Sequence, residues 1–223
     1  MAETFVLLHG SWHGGWAWEP TAWCLRELGH EAYAPTYPGH QPGASRAGIR
    51  HQDYVRSVVD FIEGRDLRDV VLVGHSFGGS VVSRVSQEIP ERLARLVFHT
   101  AFVVEDGASV NDNFPQDQTD AFAAAAASSP DNTVACQWEI FRDLFIQDAS
   151  PEAARTVWES GSSRSPSPPG RRSSTWPSFI AGSCRAASSR WPTTWRCRRG
   201  RGTRRCPRVW VSSSSWKWAE ATR

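Results

Sequence analysis

Two residue classes run out part-way along this chain of 223 residues. All seven histidines lie at or before His99, and residues 160–223 carry one acidic side chain, Glu220. Chemistry that needs a histidine or carboxylate from the last third of the chain is therefore short of candidates. Lysine occurs once, at Lys217, so positive charge rests on arginine. There is no window of about 18 apolar residues, which excludes a membrane-spanning helix. The opening Met1-Ala2-Glu3-Thr4-Phe5-Val6 has neither a basic stretch nor a long apolar run. No signal peptide is expected, and a cytoplasmic location without a membrane partner is. The five cysteines fall at 24, 136, 184, 197 and 206 without paired spacing, which argues against a disulfide framework and a zinc site. With no metal-ligand spacing and no phosphate-cradling loop, neither metal nor cofactor is expected. The sequence does not indicate an oligomeric state.

What is present is enough for one α/β domain with a sizeable core. The net charge of +2 hides a break. Residues 1–159 hold 11 basic and 22 acidic side chains, whereas residues 160–223 hold 14 basic ones, 15 serines and six tryptophans. Up to Thr100 the pattern alternates. Phe5 to Leu8, Glu31 to Ala34, Val70 to Val73 and Leu96 to Phe98 read as buried strands. Trp18 to Leu28, His51 to Glu63 and the segment after Ser76 read as helices. Trp23, Leu25 and Leu28 are the expected inner residues of the first, Tyr54, Val55, Val58, Val59 and Ile62 of the second, and Val81, Val82 and Val85 of the third. Strands alternating with helices predict βαβ units and a parallel sheet, whose active site lies at the strand C-termini. From Glu105 to Glu159 the pattern predicts helices without strands: Asp120 to Ala127, Thr133 to Phe145, and one starting at Ser150-Pro151-Glu152 with serine as N-cap and proline at the first helical position. The expected organisation is a core over 1–104, a helical cap over 105–159 and an anomalous basic tail over 160–223.

The most informative stretch is Val70-Val71-Leu72-Val73-Gly74-His75-Ser76-Phe77-Gly78-Gly79. An apolar strand runs into Gly-x-Ser-x-Gly and out into a helix. That is a nucleophile elbow, with a strained serine whose hydroxyl stands above the sheet and glycines where chains pass closely. Ser76 is the candidate nucleophile. His9-Gly10-Ser11-Trp12-His13-Gly14-Gly15-Trp16 follows another strand and comes to the same edge.

Together these two segments resemble the α/β-hydrolase family, and within it the small esterase and hydroxynitrile lyase group that includes plant methylesterases and bacterial relatives. Gly29-His30 and Ala101-Phe102 match as well, and the resemblance covers about residues 4–159. It implies an α/β-hydrolase sheet with a cap, Ser76 as nucleophile, and an oxyanion hole from the backbone N–H groups of Ser11 and Phe77. It implies structural roles for His9, His13 and His75. Gly10, Trp12, His75, Phe102 and Trp138 are candidates for the substrate pocket. The lyases of the group carry threonine at the place of Gly10 and use a lysine near the chain end. Here the position is glycine and the only lysine is Lys217, so ester hydrolysis is favoured. The aromatics Trp12, Trp16, Phe77, Phe102, Trp138 and Phe141 suggest a small apolar or aromatic ester substrate. The alternatives are a carbon–carbon lyase of the hydroxynitrile type and a non-catalytic ligand-binding protein on the same scaffold.

In this fold the acid and the histidine follow the serine in the chain. Residues 160–223 offer no histidine, one glutamate and no apolar periodicity, so no regular structure and an open sheet edge are expected there. The tail's arginines and tryptophans would suit nucleic acid, but no nucleic-acid partner is expected, because a reading-frame shift would account for the composition. If each codon is read from the third base of the original one, Trp191 to Arg196 permits Ala-Asp-Asp-Met-Ala. In the same frame Trp216 to Thr222 permits Glu-Met-Gly-Gly-Ser-His. The first resembles the acid-bearing loop of the family and the second its histidine loop. A frameshift near Trp158 to Gly161 would account for both.

Overall fold

The computed structural model describes residues 2–41, 43–104, 108–131, 133–163, 175–177 and 208–212. A parallel sheet is built from β1 (Thr4–Leu8), β2 (Glu31–Tyr33), β3 (Val70–Ser76) and β4 (Leu93–Ala101), completed by a strand at Arg208–Ser212, in the order β2-β1-β3-β4 and then that strand. Every pairing in it is parallel. The strands are apolar because helices cover both faces. On one face lie α2 (His51–Gly64) and α3 (Gly78–Glu88), which bury Tyr54, Val55, Val58 and Ile62, and Val81, Val82 and Val85, against Val6, Leu8, Leu72 and Leu96. On the other, α1 (Glu19–Glu27) packs Ala22 and Leu25 with Leu7, Val71 and Val73.

The helix α1 departs from the sequence pattern. Trp23 is 59% exposed and Leu28 74% exposed, so neither is an inner residue. The short helix approaches the sheet through Ala22, whose small side chain lets the backbone come close and turns Trp23 outward.

Two further differences concern the cap and the tail. Thr133–Ala135 is a strand, β5, not the start of a helix. It pairs antiparallel with β6 (Thr175–Pro177). The β-branched Thr133 and Val134 favour that geometry, and the Asp131 carboxylate accepts the Ser129 and Thr133 hydroxyls at 2.8 and 2.7 Å, fixing the turn before it. The helical stretch after it is shorter than the periodicity suggests: α5 (Trp138–Ile140) passes into a π-helical turn at Phe141–Phe145. Around these lie α4 (Gln116–Ala127) and α6 (Pro151–Ser163), the latter capped by Ser150 Oγ accepting the Ala153 N–H at 3.2 Å.

The last strand, β7 (Arg208–Ser212), lies along β4 with Leu96 opposite Val209 and Phe98 opposite Val211. The expected open edge is therefore paired. Val209, Trp210 and Val211 form a short segment of high strand propensity, and the edge of β4 supplies the ladder for it. The segments resembling the acid and histidine loops, 191–196 and 216–222, lie outside the described residues.

Candidate active site

Ser76 ends β3 with φ of +52°, in the left-handed region, where a residue with a side chain is strained. The strain has a local cause. The chain must leave a strand and enter α3 within one residue, and Phe77 already has helical dihedrals. Three glycines make room for the turn. A Cβ on Gly74 would stand 2.7 Å from the Gly78 carbonyl, one on Gly78 would stand 2.9 Å from the Leu8 oxygen, and one on Gly79 would stand 2.5 Å from the Phe102 oxygen. The Ser76 carbonyl accepts the Phe102 N–H at 2.9 Å, which ties the elbow to the end of β4.

The loop after β1 reaches the same point. A Cβ on Gly10 would lie 2.9 Å from the Cβ of Ser76 and 3.0 Å from Nδ1 of His75, so glycine is needed for this approach. His9 is buried, and the Tyr37 N–H donates to its Nε2 at 3.2 Å. Nδ1 therefore carries the hydrogen and donates to the Gly10 carbonyl at 2.8 Å. That carbonyl belongs to the same peptide as the Ser11 N–H, so His9 fixes which way the N–H points. Among the described residues no acceptor takes the Ser11 N–H. His13 Nδ1 donates to the Ser11 carbonyl at 2.6 Å, and His40 Nδ1 to the His13 carbonyl at 2.8 Å. The loop is thus held by three imidazoles.

None of these imidazoles reaches the serine. All seven histidines are described, and none hydrogen-bonds Ser76 Oγ. His51 Nε2 pairs with Ser80 Oγ at 3.0 Å, and His30 accepts the Glu3 N–H at 3.1 Å. His75 packs among His13, Trp18 and His99. Burial lowers the basicity of His9 and His13, and takes His40, His51 and His75 down to about 4. For His75 the neighbouring His13 and His99 add to this.

These values set an acid limit on the fold. Each folded-state value lies below the ordinary 6.5, so the unfolded chain binds more protons and stability rises with pH. The stability is lost as pH falls from about 6.5 towards about 4, at up to about 1.4 kcal/mol per pH unit for each histidine. Urea midpoints at about pH 7 and about pH 4.5 should differ accordingly, with the lower midpoint in acid.

The remaining candidates have distinct surroundings. Phe77 is 1% exposed, with its ring among Tyr37, Tyr54 and His51, so its side chain is core and only its backbone faces the elbow. Phe102 packs against Phe114 at 5.3 Å between centroids. Trp12, at φ +60°, donates its indole N–H to the Val134 carbonyl at 2.9 Å and packs on Phe145, so it links the loop after β1 to β5 of the cap. Trp138 lies within the cap against Phe141 and Trp158, under the Arg155 guanidinium. Among the described residues no cluster of histidine, cysteine and carboxylate could hold a metal, and no helix is long and apolar enough to cross a membrane. A structural role for His9 was implied by the resemblance, whereas the tie of Trp12 to the cap was not, because its partner Val134 is distant in the chain.

A strained serine between strand and helix, with a histidine-held glycine loop against it, is a specific arrangement. The alpha/beta hydrolase family model matches residues 5–219. The chain belongs to the alpha/beta hydrolase family. It is 43% identical over 108 residues to a carbendazim hydrolyzing esterase of Nocardioides sp. (strain SG-4G), a match covering 48% of this chain and 45% of the relative. It is 33% identical over 115 residues to methylesterase 1 of Arabidopsis thaliana, covering 45% and 40%. Among solved structures, an extracellular alpha/beta-hydrolase from a Paenibacillus species superposes with a TM-score of 0.68 at 42% identity, over 71% of this chain and 65% of that one. The chain spans about half the length of the curated relatives it matches, or less.

Proposed function

We propose that this alpha/beta hydrolase fold serves an esterase-type serine hydrolase acting on a small apolar or aromatic ester. Ser76 Oγ attacks the ester carbonyl carbon, the bond to the alcohol oxygen breaks, and the serine proton leaves with the alcohol. Water then cleaves the acyl-enzyme. The N–H groups of Ser11 and Phe77 stabilise the negative oxygen of each tetrahedral intermediate, as preorganised donors that need no reorganisation. The observation that carries this reading is the contact of Gly10 with Ser76, which brings the loop bearing the Ser11 N–H over the strained serine. The names of the relatives, esterases among them, support ester chemistry. The same contact leaves no room at position 10 for the threonine of the lyases, which favours hydrolysis over carbon–carbon cleavage.

A serine without a base is a poor nucleophile. No histidine hydrogen-bonds Ser76 Oγ among the described residues, and the proposed frameshift would account for the missing base. DNA across codons 150–165 tests it directly, and an intact gene without a missing or added base would reject it. The serine assignment has its own test. In the full-length chain with the frame restored, a fluorophosphonate should form an adduct on Ser76 and none in Ser76→Ala. Labelling that persists in Ser76→Ala would reject the nucleophile.

A further inference from the structure

The residue that follows Ser11 is held in an unfavourable shape from outside its own loop. Trp12 has φ of +60°, in the left-handed region, which disfavours a residue with a side chain roughly tenfold. Such a conformation persists only where surrounding contacts impose it. Two contacts come from the cap. The indole N–H donates to the Val134 carbonyl of β5 at 2.9 Å, across 122 positions of the chain, and the ring meets Phe145 edge-on with centroids 5.6 Å apart. Trp12 also packs on the small buried cluster of Ala126 and Val134 within the cap.

The acceptor is itself fixed. The Asp131 carboxylate holds the turn before β5 through the Ser129 and Thr133 hydroxyls, and Arg46 of the core reaches the same carboxylate at 3.9 Å. On the core side, His13 Nδ1 holds the Ser11 carbonyl at 2.6 Å, and the φ of Trp12 sets how the chain leaves that peptide. Ser11 thus lies between two oriented peptides, one set by His9 and the other by His13 and Trp12. Of these ties, the Trp12 bond is the one that reaches the cap.

We propose that Trp12 is a positioning residue through which the cap holds the Ser11 N–H over Ser76. With the indole bonded to Val134 and the ring on Phe145, residue 12 stays left-handed and the loop keeps its approach to the elbow. Without the bond, Trp12 relaxes to the commoner negative φ and the Ser11–Trp12 peptide turns with it. The inference rests on the oxyanion role proposed for the Ser11 N–H. A displacement of about 1 Å at such a donor costs about a hundredfold in rate. The donor meets negative charge only in the tetrahedral intermediate, so the loss falls on kcat and not on KM.

Nitrogen-15 relaxation dispersion on the full chain reads microsecond-to-millisecond motion at the Gly10 and Ser11 amides. The wild type should show none. Phe145→Ala changes the cap alone, at a side chain 37% exposed, and Trp12→Phe keeps an aromatic ring but removes the indole N–H. Both should bring exchange to Gly10 and Ser11 while the amides of β3 and α2 stay quiet. Quiet Gly10 and Ser11 amides in both variants would overturn the proposal, since the histidines then hold the loop unaided. Equal exchange at β3 would also overturn it, as a general loss of stability. The tie itself is read by hydrogen exchange of the Trp12 indole N–H. It should exchange at least about a hundredfold slower than an exposed indole, and about tenfold faster in Phe145→Ala than in the wild type. An unprotected indole in the wild type would overturn the tie. Fluorophosphonate labelling tests the serine and these amides test the loop, so failure of one is told apart from failure of the other.

Discussion

If the frame is shifted as proposed, restoring it after Trp158 should raise the rate of aryl-ester hydrolysis by about 10⁶-fold, the scale set by removing the base from a serine triad. The argument is one of geometry. Ser76 and the Gly10 approach are in place, but none of the chain's histidines hydrogen-bonds the serine, and residues 160–223 offer none. A triad without its base retains only the contribution of binding and the oxyanion hole, about 10³–10⁴-fold over water. The proposed frame permits both an acid-bearing and a histidine-bearing segment in the order the fold requires. The rate is read with a chromogenic aryl ester, and Ser76→Ala in the restored chain should remove the gain. Equal rates for the restored and present chains would show that the present chain holds a base elsewhere.

Gly74→Ala should destabilise the protein by about 3 kcal/mol, or prevent its folding, the upper end of overpacking effects. The new Cβ would meet the Gly78 carbonyl and Val82 Cγ2, each at 2.7 Å. Both belong to α3, which cannot retreat without opening the core of Val81, Val82 and Val85 against the sheet. Relief by moving β3 would break its ladder with β1 and β4. Urea denaturation measures the loss. Gly64→Ala is the control, since a Cβ there meets nothing within 4 Å. A Gly74→Ala protein as stable as wild type would mean that strand and helix are further apart than described.

The elbow and its fold were legible in the sequence because they are written in contiguous residues. Four apolar residues before Gly74 fix the strand, the valine spacing after Ser76 fixes the helix, and Gly74 and Gly78 mark the close passage between them. The absence of a distal histidine was equally plain, since it is a matter of composition. The periodicity failed where a partner decided the outcome. Trp23 and Leu28 follow a helical stripe, but Ala22 sets the closest approach of α1 and leaves them exposed. Thr133 to Ala135 has a helical context, but pairing with Thr175–Pro177 makes it a strand.

The site divides in the same way. The sequence by itself determined that Ser76 ends a strand under strain, that glycine stands at position 10, and that the last third has no histidine and a single carboxylate, Glu220. Only the tertiary structure decided which way His9 orients the Gly10–Ser11 peptide, through the Tyr37 N–H on its Nε2, and that Trp12 joins that loop to the cap. Each depends on a hydrogen bond to a residue far along the chain, Tyr37 N–H for His9 and the Val134 carbonyl for Trp12. Local propensity and periodicity carry no information about which distant backbone group an imidazole or indole will meet.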